Sequence, residues 1–133
     1  MIVITAIAIL LVTIYFKVAY DFKLWQRHIP VNHPKEITII AIPVSVSIFL
    51  LAISTDYALP YNYLVSLFLC SSWYFFLFNG FYNLVRRYNW WFIGTPDAND
   101  SWTERFFRAI GMPTTIALQL LLILISTYFY FIA

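Results

Sequence analysis

The amino-acid sequence predicts an all-α membrane protein, a four-transmembrane-helix bundle with a short interfacial amphipathic helix between the third and fourth spans. Of its 133 residues, 62% are hydrophobic and 11% are charged, whereas about a quarter are charged in ordinary soluble domains. So short a chain cannot bury that much apolar surface in water, because its surface-to-volume ratio is unfavourable. A bilayer must therefore solvate most of its side chains.

Four stretches of the sequence are almost free of charge and long enough to cross a bilayer. A spanning helix needs about 20 apolar residues, because each residue adds roughly 1.5 Å along the axis. The predicted spans cover residues of about 2–20, 37–55, 60–85 and 113–133. Period-2 alternation is missing, which argues against a transmembrane barrel. We therefore expect a single integral membrane domain over residues 1–133.

The basic residues are confined to two of the three connections between spans, here called loops one, two and three. Loop two, between the second and third spans, has none. All eight lie in or beside loops one and three: Lys17, Lys23, Arg27, Lys35, Arg86, Arg87, Arg105 and Arg108. The positive-inside rule then places loops one and three in the cytoplasm and both termini outside. We expect a bacterial inner membrane, or an organelle membrane of bacterial origin.

Each span carries small or polar residues at helical spacing, which we expect to face the bundle interior and hold the helices together. Asn79, Asn83 and Gln119 form a candidate intramembrane polar seam with either a structural or a functional role. No acidic residue lies in the middle of a span, which argues against a proton- or cation-coupled transporter. The full set of expected interior residues is Ala6, Thr13, Lys17, Tyr20, Pro43, Ser47, Ser54, Ser72, Phe76, Asn79, Asn83, then Arg86 or Arg87, and Thr115, Gln119 and Ser126.

Loop one brings two histidines near several acids, which raises the question of a metal or acid–base site. His28 and His33 are five residues apart with a proline between them, so they do not share a helical face. A metal site would need further ligands from loop three, where Asp97, Asp100 and Glu104 are available. These five residues form a candidate cytoplasmic-face polar cluster, but we expect no metal, cofactor or catalytic residue. The plainer interpretation is that the histidines lie beside lipid headgroups.

Loop three opens with two arginines followed by large aromatic residues, a pattern typical of an anchor to an anionic leaflet. Arg86 and Arg87 would meet phosphates, while Trp90 and Trp91 would lie at headgroup depth. Residues 101–104, Ser-Trp-Thr-Glu, fit a capping box that begins a helix ending before Gly111.

The predicted loop-three helix, residues 102–110, has an amphipathic pattern. Trp102 lies on its apolar side, whereas Arg105 and Arg108 lie elsewhere, so we expect it to rest in the membrane interface. The alternative is a docking surface for a partner or a lipid headgroup.

One segment carries a resemblance. The run Phe81-Tyr82-Asn83-Leu84-Val85-Arg86-Arg87, followed by Trp90-Trp91-Phe92-Ile93-Gly94-Thr95, resembles uncharacterised small polytopic membrane proteins of bacteria and their phages. The likeness covers about a fifth of the chain. It implies a membrane location but no activity, so it transfers no site residue.

Three hypotheses for function remain open. In the first, the chain is a non-catalytic component or accessory factor of a membrane complex, including one encoded by a phage or mobile element. In the second, it is a membrane enzyme or lipid-headgroup-binding protein that uses cytoplasmic His, Asp and Glu residues. In the third, it is a small oligomeric pore or lysis-type protein. We favour the first, since the chain is small and a charged core is not expected. Its partners would be the anionic cytoplasmic leaflet and other membrane chains or copies of itself, not nucleic acid.

Overall fold

The computed structural model describes residues 1–30, 33–55, 59–92 and 102–132, and for residues 33, 34, 59 and 102–104 the backbone alone. Within these ranges the chain is helical and has no strand. The helices are α1 (Ile2–Gln26), α2 (His33–Ile53), α3 (Leu59–Val85), α4 (Trp102–Ile110) and α5 (Met112–Phe131). Four of them, α1, α2, α3 and α5, are long and apolar enough to cross a membrane. The all-α class and the four apolar helices predicted from the sequence are therefore confirmed.

Two helices extend beyond the apolar stretches that mark them in the sequence. α1 continues past residue 20 to Gln26, and α2 begins at His33 rather than near residue 37. Hydropathy marks only the apolar part of a helix. The backbone hydrogen bonds of the helix continue through charged residues when the side chains of these residues have partners. Lys17 and Asp21 are one turn apart on α1 and pair with each other.

A Schellman motif ends α1. The N–H of His28 donates to the Trp25 carbonyl at 3.1 Å, and the N–H of Ile29 donates to the Leu24 carbonyl at 3.0 Å. This pattern requires a left-handed residue after the helix, a position that usually holds glycine. Here it is His28, with a φ of 55°.

The same motif ends α3. The N–H of Arg87 donates to the Leu84 carbonyl and the N–H of Tyr88 to the Asn83 carbonyl, both at 2.9 Å. Arg87 takes the left-handed position, with a φ of 65°. Both α1 and α3 thus end, on the side of loops one and three, with a non-glycine residue in the left-handed conformation that favours glycine.

α1, α2 and α3 pack against one another, whereas α5 packs on α3 and α4 packs on α5. Each of the four long helices contributes buried residues at helical spacing. On α1 the stripe is Ala6, Leu10, Ile14, Val18 and Asp21, and on α5 it is Thr115, Gln119, Ile123, Ser126 and Tyr130. Because these stripes are narrow, most large apolar side chains on the other faces remain exposed, as a lipid-facing surface requires.

Most of the residues expected in the interior lie there, but one of them does not. Tyr20 is 55% exposed, so its placement in the interior was wrong. It directly precedes the buried Asp21, and one residue is about 100° of helical rotation, which carries its side chain out of the stripe. The buried members are Ala6, Ser47, Ser72, Asn83, Thr115, Gln119 and Ser126, and the partly buried ones are Thr13, Lys17, Pro43, Ser54, Phe76, Asn79 and Arg86. Of the two arginines offered for the end of the α3 face, Arg86 is thus the one that is partly buried, whereas Arg87 is exposed.

Polar contacts from the last turns of α5 fasten this helix to its neighbours. The Tyr130 hydroxyl donates to the Leu51 carbonyl at 2.9 Å and lies 3.2 Å from the Ser54 hydroxyl, both on the α2 side. The Trp73 indole of α3 donates to the Thr127 hydroxyl at 3.1 Å. Hydrogen bonds between spanning helices each contribute modestly to association in a membrane.

α4 forms over the predicted residues and ends at Ile110, before Gly111 with a φ of 84°. The Thr115 hydroxyl hydrogen-bonds to the carbonyls of Phe107 at 3.2 Å and Gly111 at 2.7 Å, which joins α4 to the first turn of α5. The predicted capping residue, Ser101, lies outside the described residues.

Candidate functional site

Three charged side chains meet at the loop-one end of the bundle, and we call them the charged junction: Lys17, Asp21 and Glu36. Lys17 and Asp21 are successive members of one α1 face, and Glu36 lies in the first turn of α2. The Lys17 ammonium donates to both Asp21 oxygens, at 2.6 and 2.5 Å, and also to Glu36 Oε2. The short connection between α1 and α2 brings these groups together.

The charged junction is removed from solvent almost completely. Asp21 is 3% exposed, Glu36 is 6% exposed, and the Lys17 side chain retains 11% of its accessible surface. Burying charges is costly unless each has a partner. Because one ammonium serves two carboxylates from different helices, Lys17 offsets part of the cost of burying both acids.

α3 closes the charged junction with an aromatic face. The Lys17 ammonium lies 5.4 Å from the centroid of the Phe78 ring, a cation–π geometry. Phe78 stacks on Tyr74 on one side and on Tyr82 on the other, with 5.7 Å between centroids in each pair. The Tyr74 hydroxyl is buried and has no hydrogen-bond partner in the described part of the chain. The charged junction thus joins α1, α2 and α3.

Sequence reasoning missed the charged junction. We expected no charged core, and that expectation was wrong because Asp21 and Glu36 belong to buried helical turns rather than to an exposed loop. The available signal was the four-residue spacing of Lys17 and Asp21, which continues the apolar stripe of Ile14 and Val18. The middle of each span does lack acids, as the sequence indicated, because both acids lie near helix ends.

The chain beyond α3 folds back over the helix, and we call residues 86–92 the strap. Asn83 on α3 holds it: its side-chain amide donates to the carbonyls of Trp90 at 3.0 Å and Phe92 at 2.7 Å. Its side-chain oxygen accepts a hydrogen bond from Arg86 Nη2 at 2.7 Å. Asn83 is 4% exposed, and all of its side-chain polar atoms are used within the strap.

Trp90 packs over Gly80, where the helix presents no side chain. A Cβ atom at residue 80 would lie 1.8 Å from Trp90 Cε2, so only glycine leaves room for the indole. The Trp90 ring is also 5.2 Å from the Phe76 and Phe81 rings. Trp91 lies 5.7 Å from the Phe76 ring. These two predicted anchor residues are therefore packed against α3 and half-buried.

The candidate polar cluster falls largely outside the described residues. His28 is exposed and ends α1, as described above. Asp97 and Asp100 lie outside the described residues, as do the side chains of His33 and Glu104. Among the residues that the structure describes, no three His, Cys, Asp or Glu side chains lie close enough to hold a metal ion.

The remaining predicted residues are dispersed. Arg87 and Arg105 are exposed and Arg108 is half-buried, whereas only the backbone of Trp102 is described, at the start of α4. Asn79 is half-buried on α3, and Gln119 is 8% exposed on α5. Of the predicted site residues, the structure brings together Asn83 of α3 with Arg86 and Trp90 of the strap.

A depression lies at the end opposite the charged junction, and it has no space for a water molecule. It is lined by Thr55, Tyr61, Asn62, Val65, Phe129 and Tyr130. None of these lining residues belongs to the charged junction or to the strap. Comparisons with protein-family models, curated proteins and solved structures gave no match.

Proposed function

We propose that the chain is a non-catalytic component of a membrane complex, and that it binds another membrane protein or a second copy of itself through the face formed by loops one and three. The observation that carries this proposal is the charged junction. The Lys17 ammonium of α1 pairs with Asp21 on its own helix and with Glu36 of α2, and it lies against the Phe78 ring of α3, so these contacts hold three helices together at this end of the bundle. A rigid surface loses little conformational freedom on binding, which favours association.

The strap supports the same proposal. Asn83 fixes the start of loop three on α3 through two backbone hydrogen bonds, so loop three leaves the bundle at a defined position. Loops one and three also carry or adjoin all eight basic residues. This charge distribution supports a cytoplasmic location for the face, with both termini outside, in a bacterial inner membrane.

We also propose that α4 lies in the membrane interface. Arg105 is exposed, Phe106 is 39% exposed, and Phe107 contacts the Phe75 ring of α3 at 6.3 Å. An amphipathic helix with both arginines and exposed aromatic residues suits the boundary between headgroups and acyl chains.

Purification from native membranes in mild detergent tests the proposed function. Two differently tagged copies are co-expressed, and co-purifying proteins are identified by mass spectrometry. The proposal expects either a stoichiometric second protein or recovery of one tagged copy with the other. A chain that purifies as a monomer without a stoichiometric protein would contradict it.

Cysteine labelling tests the proposed orientation. In a Cys70→Ala background, single cysteines replace Asp56 in loop two and Asn89 in loop three. A membrane-impermeant maleimide should label position 56 from outside intact cells and label position 89 only after the cells are opened. The reverse pattern would place loops one and three outside.

A further inference from the structure

We propose that Arg86 forms a binding site for the phosphate group of an anionic lipid, at the loop-three end of α3. This inference rests on the membrane placement proposed above and does not depend on a protein partner.

Arg86 is half-buried and contacts no carboxylate in the described parts of the chain. Its guanidinium donates to two neutral acceptors, the Tyr82 carbonyl at 3.4 Å and the Asn83 side-chain oxygen at 2.7 Å. Lys17, by contrast, meets two carboxylates, and Arg87 is exposed. A partly desolvated charge without a counter-ion is unfavourable, so an anion is expected to complete the surroundings of Arg86.

The Arg86 side chain is ordered before any ligand binds. Its guanidinium carbon lies 4.0 Å from the Tyr82 ring centroid and 5.3 Å from that of Tyr88. Asn83, which accepts its hydrogen bond, is itself fixed by the strap. Immobilising a long side chain opposes binding, and here the protein has already done so.

The geometry suits a phosphate rather than a simple counter-ion. A guanidinium is planar and carries several N–H donors in a fork that matches two oxygens of one phosphate. In Arg86 two of these N–H groups are used by described residues, Tyr82 and Asn83. The other N–H groups have no acceptor among the described residues, and we assign them to the phosphate. Lysine at this position would keep the charge but lose the fork.

The neighbours of Arg86 indicate a lipid as the source of that phosphate. Arg86 directly follows α3, whose length and composition suit a membrane span. The preceding Leu84 and Val85 are 49% and 41% exposed, and Tyr88 is 39% exposed. Exposed apolar residues followed by arginine and tyrosine are expected where acyl chains give way to headgroups. A lipid bound there would place its phosphate beside Arg86 and its chains along α3.

Native mass spectrometry of the detergent-solubilised protein tests this site. The whole chain is titrated with phosphatidylglycerol, and separately with phosphatidylcholine, for the wild type and for Arg86→Gln, Arg86→Lys and Arg87→Gln. We expect Arg86→Gln to weaken binding of the first phosphatidylglycerol by about tenfold or more, the effect of losing a charge-assisted contact. Arg87→Gln removes the same charge one residue away and should change it by less than about twofold.

Arg86→Lys is the control for a folding defect, since it keeps the positive charge. It should retain wild-type helix content and still bind the first phosphatidylglycerol several-fold more weakly. Equal losses for Arg86→Gln and Arg87→Gln would show general electrostatic attraction and overturn the proposal. Two other results would also overturn it: equal binding of phosphatidylcholine, or displacement of the bound lipid by excess inorganic phosphate.

Discussion

Replacing Lys17 with methionine removes the ammonium of the charged junction while keeping the side-chain length. Asp21 and Glu36 then face each other without the ammonium that lies between them. Their nearest oxygens bind one nitrogen, so they are no more than about 5 Å apart. At an effective dielectric constant of about 20, two such charges repel by roughly 3 kcal/mol. Removing one partner of a buried ion pair destabilises proteins by about 3–5 kcal/mol, and we expect Lys17→Met to fall in that range.

The two acids should be far less sensitive than the lysine. Glu36→Gln leaves Lys17 paired with Asp21, and Asp21→Asn leaves it paired with Glu36. Each of these changes should destabilise by about 1–2 kcal/mol, as expected for one weakened hydrogen bond to a charged group. Adding both amide substitutions to Lys17→Met removes the repulsion, so that triple variant should be more stable than Lys17→Met alone.

Unfolding in mixed micelles, followed by far-ultraviolet circular dichroism, measures these differences as free energies of unfolding. Lys23→Met is the matched control, because Lys23 lies on the same helix and is exposed. It should change stability by no more than about 0.5 kcal/mol. If Lys17→Met were as stable as Lys23→Met, the charged junction would not hold the bundle together, and the reasoning would be refuted.

Three further predictions concern the other contacts. Gly80→Ala forces the indole of Trp90 out of place and should lower the free energy of unfolding by about 1–3 kcal/mol in the same assay. In a Trp90→Ala background, Gly80→Ala should have little effect. An unchanged loss of stability in that background would contradict the packing of Trp90 on Gly80. Arg87→Gly removes the steric strain of the left-handed conformation and should raise the free energy of unfolding by up to about 1 kcal/mol in that assay, whereas Arg87→Ala should not. Equal free energies of unfolding for the two variants would contradict this strain. Tyr130→Phe should destabilise by about 0.5–1.5 kcal/mol, measured against the exposed Tyr128→Phe as control; equal values would show that the Tyr130 hydroxyl contributes nothing.

The helices and their faces follow from local features of the sequence. Charge-free length is sufficient to identify a span, and small or polar residues at helical spacing indicated buried faces that include Ala6, Ser47 and Ser126. The same approach misplaced Tyr20, because the buried face of α1 continues to Asp21. Hydropathy alone assigns a charged residue to the surface and takes no account of a partner on the next helix.

The charged junction and the strap depend on contacts between distant residues, which the sequence does not display. The carboxylate of Glu36 is buried because α2 returns beside Lys17, and Trp90 packs on α3 because Gly80 leaves space for it. The sequence did mark Asn83 and Arg86 as notable, one as an intramembrane polar residue and the other as an anchor. Their hydrogen bond to each other emerges only when the chain turns back after α3.

Site-specific photo-crosslinking tests most directly the claim that the chain acts through the face of loops one and three. A photoreactive residue replaces the exposed Gln26 or Asn89 on that face, and the exposed Ile53 or Tyr61 at the opposite end serves as the matched control. In native membranes, positions 26 and 89 should give a discrete adduct with a partner protein or a second copy. Adducts confined to positions 53 and 61, or their absence from all four positions, would contradict the proposed function.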